Sequence, residues 1–277
     1  MRLVTYADET GTAVGMRVEG GIAPAGYDDM LCLIRDGEEG LRRAHEVARA
    51  GTPRTDVRLL APVLRPGKLL FCGINYASHK EENPDAVLPE EPNFFSKLPS
   101  AVVGPGEPIV LPYPETQVDY EVELALIIGR TAKGISAAAA LDHVFGYTVV
   151  NDVSARDIQF RPNQLTLGKG VDTFSPMGPE LVTADEIPDP QALHVRSVVN
   201  GEERQSSSTR QQLFPVALLI ETLSALVTLE PGDLISTGTP AGVGTFRTPP
   251  LWLRPGDEVT VAVDGIGELT NPVAAGW

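Results

Sequence analysis

The segment from Asp119 to Ile128 constrains the fold of this 277-residue chain more than any other. Apolar residues alternate with Glu121 and Glu123 and then run on without interruption, which is the pattern of a largely buried β-strand. Residues two apart in a strand point to the same face, so the two glutamates share one side, with Cβ atoms roughly 6–7 Å apart. Buried carboxylates this close repel each other unless a positive charge lies between them. The segment therefore predicts a site for a hard divalent cation or, alternatively, the solvent-facing side of an edge strand.

Composition and charge limit the function classes that remain open. A hydrophobic content of 42% and a charged content of 21% are typical of a globular protein. The net charge of −15 argues against a nucleic-acid partner, whose phosphates the chain would repel. The sequence contains no apolar run of transmembrane length and no signal-peptide pattern at its start. We therefore expect no membrane partner and a cytoplasmic location.

The pattern of elements predicts two domains and an α+β fold that is mainly β. Residues 1–64 are predicted to form a small α/β domain, with strands at 3–6 and 12–18 and an amphipathic helix at 38–50. Residues 65–277 are predicted to form a larger, β-rich domain, since 24 prolines and 27 glycines divide the chain into short strands and turns. Its one longer helix is predicted at 214–227.

A third carboxylate follows the strand predicted at 145–150. Asp152 comes at the end of that strand, where its side chain can project past the sheet toward a cleft. Together with Glu121 and Glu123 it would complete a three-carboxylate metal site with open positions for substrate oxygens. The alternative is that Asp152 only caps the turn that follows.

Three further features carry candidate chemistry. His79 and Glu82 are spaced to share one face of a helical turn, where a carboxylate can orient an imidazole as a general base, although a solvated helix face gives the same pattern. Lys169 lies in a segment flanked by glycines, so its ammonium could approach a ligand or could simply be solvated. Residues 238–244 are rich in glycine but lack the Gly-Lys-Ser/Thr ending of a nucleotide-binding P-loop. They predict a tight turn whose backbone N–H groups, with Thr239, bind a carboxylate oxygen.

These motifs occur together in a specific order. They are Gly73-Ile74-Asn75-Tyr76 with His79 and Glu82, Phe95-Ser96-Lys97, residues 119–124, residues 151–157, Lys169 with residues 172–179, and residues 231–233 leading into 237–240. The combination resembles the fumarylacetoacetate hydrolase (FAH) family, and the resemblance covers residues 65–275.

The resemblance implies the mixed β-roll catalytic fold of that family, a homodimer, and a site for Mg²⁺ or Mn²⁺, with Ca²⁺ in some members. By position, the metal ligands would be Glu121, Glu123 and Asp152. The catalytic residues would be His79 and Glu82, on a lid segment, with Lys169 facing the substrate. The residues near the substrate or in the outer shell of the metal would be Tyr76, Arg156, Gln159 and Thr239.

The resemblance also implies a small anionic oxo acid as substrate. Our main hypothesis is hydrolysis of a carbon–carbon bond in a β-diketo acid of the acylpyruvate, fumarylpyruvate or fumarylacetoacetate type, through a metal-stabilised enolate. The same residues would serve a lyase or an isomerase, such as an oxaloacetate decarboxylase, a hydroxymuconate-type isomerase or a sugar-acid dehydratase. A third hypothesis is a metal-dependent binding protein without catalysis.

Overall fold

The computed structural model describes residues 1–82 and 87–276, and of His79 and Glu81 it describes the backbone alone. Its helices are α1 (Met30–Ala50), α2 (His79–Glu82), α3 (Ala137–Ala140), α4 (Arg156–Gln159), α5 (Leu165–Lys169) and α6 (Val216–Leu226). Its strands are β1 (Arg2–Asp8), β2 (Gly11–Val18), β3 (Gly21–Tyr27), β4 (Arg58–Leu60), β5 (Leu69–Cys72), β6 (Phe94–Ser96), β7 (Val102–Val103), β8 (Ile109–Val110), β9 (Val118–Asp119), β10 (Val122–Ile128), β11 (Val144–Asn151), β12 (Ser154–Ala155), β13 (Ser175–Thr183), β14 (His194–Val199), β15 (Glu202–Ser208), β16 (Leu234–Ser236), β17 (Glu258–Val263) and β18 (Gly267–Ala274). The prediction of an α+β, mainly β fold is confirmed.

Two sheets organise the fold. The larger has the order β3-β2-β1-β13-β11-β10-β16-β5-β6, with β4 paired to β1 and β7 paired to β13. The second sheet has the order β15-β14-β17-β18-β8, and β9 and β12 form a short ribbon. Strand β10 runs antiparallel between β11 and β16, so it lies inside the larger sheet and not at its edge. The edge-strand alternative for the two glutamates is therefore wrong.

The alternation of side chains along β10 divides the core. Leu124 and Leu126 point into the cluster that also contains Val261 of the second sheet and Leu219 of α6. Ala125 and Ile127 point to the opposite face, which α1 covers. Residues two apart share a face, so Glu123 lies on the side of Ala125 and Ile127, at the end of the sheet.

The first 64 residues join the same large sheet. Strand β1 pairs antiparallel with β13, with Leu3 opposite Leu181. The buried carboxylate of Glu180 forms ion pairs with Arg2 and Arg17 across this junction. The sheet is thus continuous between the two predicted domains, and the boundary between residues 64 and 65 stays a prediction.

Three element boundaries differ from those predicted. Helix α1 begins at Met30, eight residues before the predicted start, because the Asp29 side chain caps it by accepting a hydrogen bond from the Leu31 N–H. Gly37 interrupts the helical pattern within α1, with φ 58° and ψ −132°. Helix α6 begins two residues late, after Pro215, and β10 begins at Val122, so Glu121 lies just before the strand.

Candidate active site

The ends of β10 and β11 bring three carboxylates together. Val122 lies opposite Asn151 in this antiparallel pair, and the Asp152 N–H donates to the Glu121 carbonyl at 2.9 Å. Oxygen atoms of Glu121, Glu123 and Asp152 lie within 4.8 Å of one another, and all three residues are buried. The structure thus places the three predicted metal ligands in one cluster.

Glu123 has neutral hydrogen-bond donors. The Ser236 hydroxyl and the Gly238 N–H, at 2.9 Å, both donate to Oε2 of Glu123. Burial raises the pKa of Glu123 well above its ordinary value, and the neighbouring carboxylates of Asp152 and Glu121 raise it further. Negative charge at Glu123 is therefore undercompensated, and a bound cation would remove that cost.

Lys169 lies between the other two carboxylates. Its Nζ is 2.8 Å from Glu121 Oε2 and 2.7 Å from Asp152 Oδ2. Burial alone would lower the pKa of Lys169, but the charges of Asp152 and Glu121 outweigh it and raise that pKa. The side chain is therefore an ammonium, positioned at the carboxylate cluster.

Arg156 connects the cluster to a fourth carboxylate. Its Nε and Nη2 donate to Asp119 Oδ2 at 3.0 and 2.8 Å, and Nη2 also donates to Glu121 Oε1. Its Nη1 donates to Gln159 Oε1 at 2.9 Å. Burial acts to raise the pKa of Glu121, but the charges of Lys169 and Arg156 outweigh it and lower that pKa to about 2. Glu121 is therefore ionised at neutral pH.

Lys97 is a buried cation to which sequence reasoning assigned no role. Its Nζ donates to Asp152 Oδ1 at 2.7 Å and to the carbonyls of Val153, at 3.1 Å, and Phe174. Burial lowers the pKa of Lys97, although Asp152 acts to raise it. Three acceptors match the three donors of an ammonium, so Lys97 fixes the orientation of Asp152. In the sequence Lys97 belongs to the Phe95-Ser96-Lys97 motif, which gives no indication of its partner.

The turn predicted to bind a carboxylate binds three, all from the protein itself. We call residues 238–245 the carboxylate-binding loop. The Gly238 N–H donates to Glu123, the Gly242 N–H donates to Glu82 at 2.6 Å, and the Gly244 and Thr245 N–H groups donate to Asp119 at 2.7 and 3.0 Å. One loop thus binds the carboxylates of Glu123, Asp119 and Glu82. Glu123 belongs to the three-carboxylate cluster, Asp119 pairs with Arg156, and Glu82 ends α2.

A cavity of about 250 Å³ opens above the cluster. Its charged and amide- or hydroxyl-bearing lining consists of Asn93, Glu121, Asp152, Arg156, Gln159, Lys169 and Thr239. Phe160, Leu165 and Phe246 also line it and are partly exposed, so they surround its mouth. The cavity is therefore charged at its floor and apolar at its entrance, with room for a small acid.

The remaining predicted site residues differ in their positions. Thr239 lines the cavity and donates to the Val122 carbonyl at 2.9 Å. Tyr76 is fully buried, and its hydroxyl accepts from Gln212 at 3.3 Å. Within the described part of the chain Tyr76 is not among the cavity-lining residues, so its contact with substrate stays a prediction.

The predicted catalytic residues lie on two short helices. His79 begins α2, but its side chain lies outside the described residues, so the His79–Glu82 pair stays a prediction. Lys169 is the last residue of α5 and not part of a loop. A Cβ at Gly168 would lie 2.5 Å from the Gln159 nitrogen, so this glycine allows α5 to approach α4 closely.

The donor set suits a hard divalent cation. The carboxylates of Asp119, Glu121, Glu123 and Asp152 outnumber the cations of Lys97, Arg156 and Lys169 within the described cluster. Cys72 lines the cavity too, but burial and the charge of Glu123 raise its pKa to about 12, so it is a neutral thiol. Three carboxylates without a thiolate are the ligand type that Mg²⁺ and Mn²⁺ prefer.

Fold and site together are those of an enzyme with a carboxylate metal centre. Residues 68–274 match the family model of the fumarylacetoacetate (FAA) hydrolase C-terminal region, and the chain belongs to this FAH family. The predicted family is therefore confirmed.

Several proteins are similar to this chain over most of its length. It is 43% identical to oxaloacetate tautomerase fahd2, mitochondrial, of Xenopus laevis, over 99% of this chain and 90% of the relative. It is 48% identical to oxaloacetate tautomerase YisK of Bacillus subtilis, over 79% of this chain and 74% of the relative. The structure of maleylpyruvate hydrolase from Sphingobium sp. SYK-6, in complex with manganese(II) and pyruvate, matches with a TM-score of 0.84, 35% identity and full coverage of both chains.

Proposed function

We propose that this chain is a divalent-metal-dependent enzyme that interconverts the enol and keto forms of oxaloacetate. The observation that carries the proposal is the ammonium of Lys169, held at 2.7–2.8 Å by two carboxylates of the candidate metal centre at the floor of a small cavity. The names of the Xenopus and Bacillus relatives support oxaloacetate as the substrate.

Glu121, Glu123 and Asp152 would hold the metal. When bound, Mg²⁺ or Mn²⁺ supplies a fixed positive charge that stabilises negative charge on the 2-oxo oxygen of an oxo acid. Glu123 gains most from that charge, because its pKa is raised by burial and by its two carboxylate neighbours. Lys97 and Lys169 hold the two oxygens of Asp152 and keep this ligand in place.

Lys169 is the residue that we assign to proton transfer. Conversion of enol to keto removes a proton from the hydroxyl on C2 and adds one to C3. As an ammonium, Lys169 can give a proton to C3 and, as the amine so formed, accept the hydroxyl proton. Arg156 and Gln159 line the same cavity, and the side-chain NH2 of Gln159, whose oxygen accepts from Arg156, would donate to a carboxylate of the substrate.

Hydrolysis of a β-diketo acid is the second candidate. The Glu82 carboxylate accepts from the Gly242 N–H, which brings α2 and the backbone of His79 to the carboxylate-binding loop. If Glu82 orients His79, the imidazole could remove a proton from a water that attacks the distal carbonyl. The carbon–carbon bond would then break to give an acid and pyruvate. Manganese and pyruvate in the Sphingobium maleylpyruvate hydrolase support this candidate.

A substrate panel separates the two candidates. Freshly dissolved enol-oxaloacetate and a series of acylpyruvates would be tested with Mn²⁺ and with EDTA, and products would be identified by NMR. We expect metal-dependent ketonisation of oxaloacetate that survives His79→Ala, is lost in Glu123→Gln, and is retained in the exposed control Glu258→Gln. Release of pyruvate and acid from acylpyruvates, abolished by His79→Ala, would instead establish the hydrolase. Pyruvate formed from oxaloacetate would identify a decarboxylase.

Two further proposals concern the oligomeric state of the protein and its location in the cell. We propose a homodimer, which rests on the family resemblance alone. None of the described helices is long and apolar enough to cross a membrane. The Xenopus relative is named as mitochondrial, so a cytoplasmic location for this chain stays a proposal.

A further inference from the structure

Helix α2 is too short to be stable by itself. It has four residues, a single turn, and isolated helices of that length do not form in water. The segment before it is firmly anchored, because the side-chain amide of Asn75 donates to the carbonyls of Phe214 and Thr237 and accepts from the Phe214 N–H. The helical turn itself is therefore held in place by contacts of the residues that follow Asn75.

Two hydrogen bonds join the helical turn to the carboxylate-binding loop. The Ala241 N–H donates to the Ser78 hydroxyl at 3.2 Å, and the next N–H along the chain, that of Gly242, donates to the Glu82 carboxylate at 2.6 Å. Ser78 directly precedes α2 and Glu82 ends it, so both ends of the turn are attached. Two consecutive backbone N–H groups of one loop thus bind two acceptors of one helical turn.

The carboxylate-binding loop is itself fixed by hydrogen bonds from other parts of the protein. The Gly242 carbonyl accepts from the Tyr120 hydroxyl at 3.2 Å and from Arg247 Nη2 at 2.9 Å. Gly242 has φ +108°, and a Cβ there would lie 2.2 Å from the Arg204 carbonyl oxygen. The loop therefore presents its N–H groups in a fixed place, and the helical turn is the element that must dock.

We propose that Ser78 and Glu82 are positioning residues that dock α2 onto the carboxylate-binding loop and thereby hold the backbone of His79 beside the cavity. Val243 of that loop lines the cavity, so a docked α2 lies next to it. Ser78 has this role although it carries no catalytic chemistry. Glu82 has it in addition to any action on His79.

Hydrogen–deuterium exchange on the full-length, Mn²⁺-loaded protein tests the docking directly. The amides of Ala241 and Gly242 are the donors, so their exchange reports whether each bond is made. Ser78→Ala should speed exchange in peptides covering residues 77–82 and 240–244 by about fivefold, and Glu82→Ala by about tenfold or more, since its bond is charge-assisted. Glu82→Gln, which keeps an acceptor oxygen, should restore most of the protection.

The matched control is Ser206→Ala, which removes an exposed serine hydroxyl that hydrogen bonds to His194 on the second sheet. It should leave both peptides unchanged. Wild-type exchange in Ser78→Ala and Glu82→Ala would overturn the proposal, as would equal exchange in Glu82→Gln and Glu82→Ala. The kinetic consequence, a lower kcat for acylpyruvate hydrolysis in Ser78→Ala with unchanged Mn²⁺ affinity, rests on the hydrolase candidate, in which His79 is the base; ketonisation should keep its rate. The exchange result does not depend on the reaction, so failure of the proposed function would be distinguishable.

Discussion

The ammonium of Lys97 lies 2.7 Å from Asp152 Oδ1, and the two side chains are 0% and 1% exposed. Both side chains are buried, so no solvation replaces the contact of the Lys97 ammonium with Asp152. The remaining donors of Lys97 are used by two backbone carbonyls, which would also lose their partner. Asp152 thus has two cationic partners, Lys97 at Oδ1 and Lys169 at Oδ2, and Lys97 fixes the orientation of the first oxygen.

Replacement of Lys97 by methionine should destabilise the protein strongly. Lys169 remains at Oδ2 of Asp152, but Oδ1 and two carbonyls lose their donor, and removing one partner of a buried ion pair costs about 3–5 kcal/mol. Urea unfolding of the metal-free protein measures the loss. The control is Lys133→Met, because exposed Lys133 also donates to backbone carbonyls and should cost only about 0.5 kcal/mol. Equal stability of the two variants would contradict the assigned role of Lys97.

The raised pKa of Glu123 predicts a pH dependence of the metal-free protein. The folded state holds the Glu123 proton more tightly than the unfolded chain, whose carboxyl has the ordinary pKa of 4.5. Stability should therefore fall as the pH rises above 4.5 toward the raised folded pKa, by up to about 1.4 kcal/mol per pH unit. Unfolding free energies in EDTA at about pH 5, 6, 7 and 8 measure this slope.

Glu123→Gln separates this effect from other titrating groups. An amide does not ionise, so the variant should gain stability relative to the wild type as the pH rises. Saturating Mn²⁺ should remove the difference by stabilising the ionised Glu123 of the wild type. A constant difference across the pH range would contradict the charge repulsion assigned to the three carboxylates.

Arg156→Lys should weaken substrate binding although it conserves charge. A lysine cannot span Asp119, Glu121 and Gln159 as the planar guanidinium does, so the amide of Gln159 would lose its orientation. We expect KM for the oxo acid to rise by about tenfold. Steady-state kinetics measure it, with Arg210→Lys on the exposed surface as the control. An unchanged KM would show that Arg156 does not organise the cavity.

Local pattern was enough to predict that three carboxylates lie together, and their role as metal ligands stays a prediction from the family resemblance. Because side chains alternate along a strand, Glu121 and Glu123 were predicted to share one side. Asp152 was added because it follows the end of another predicted strand. The start of α1 was missed because Gly37 adopts a non-helical conformation inside it. Helix α5 was missed because it has only five residues, too few for a periodic signal.

The side chains that form ion pairs with these carboxylates could not be predicted in the same way. Lys97 meets Asp152 across 55 residues of chain, and Arg156 meets Asp119 across 37. Such contacts depend on how sheets and loops fold together, and a single sequence carries no distance information. The carboxylate-binding loop was predicted to bind a carboxylate, but the identity of its ligands depends on tertiary structure in the same way.

The most direct test measures bound Mn²⁺ and catalysis in one titration. Free Mn²⁺ would be followed by electron paramagnetic resonance, and ketonisation of enol-oxaloacetate by loss of enol absorbance in the same samples. We predict that the rate rises with bound Mn²⁺ and saturates at one ion per chain, and that Glu123→Gln loses both signals together. Ketonisation without bound metal, or Mn²⁺ binding and turnover that persist in Glu123→Gln, would contradict a metal-dependent reaction at these three carboxylates.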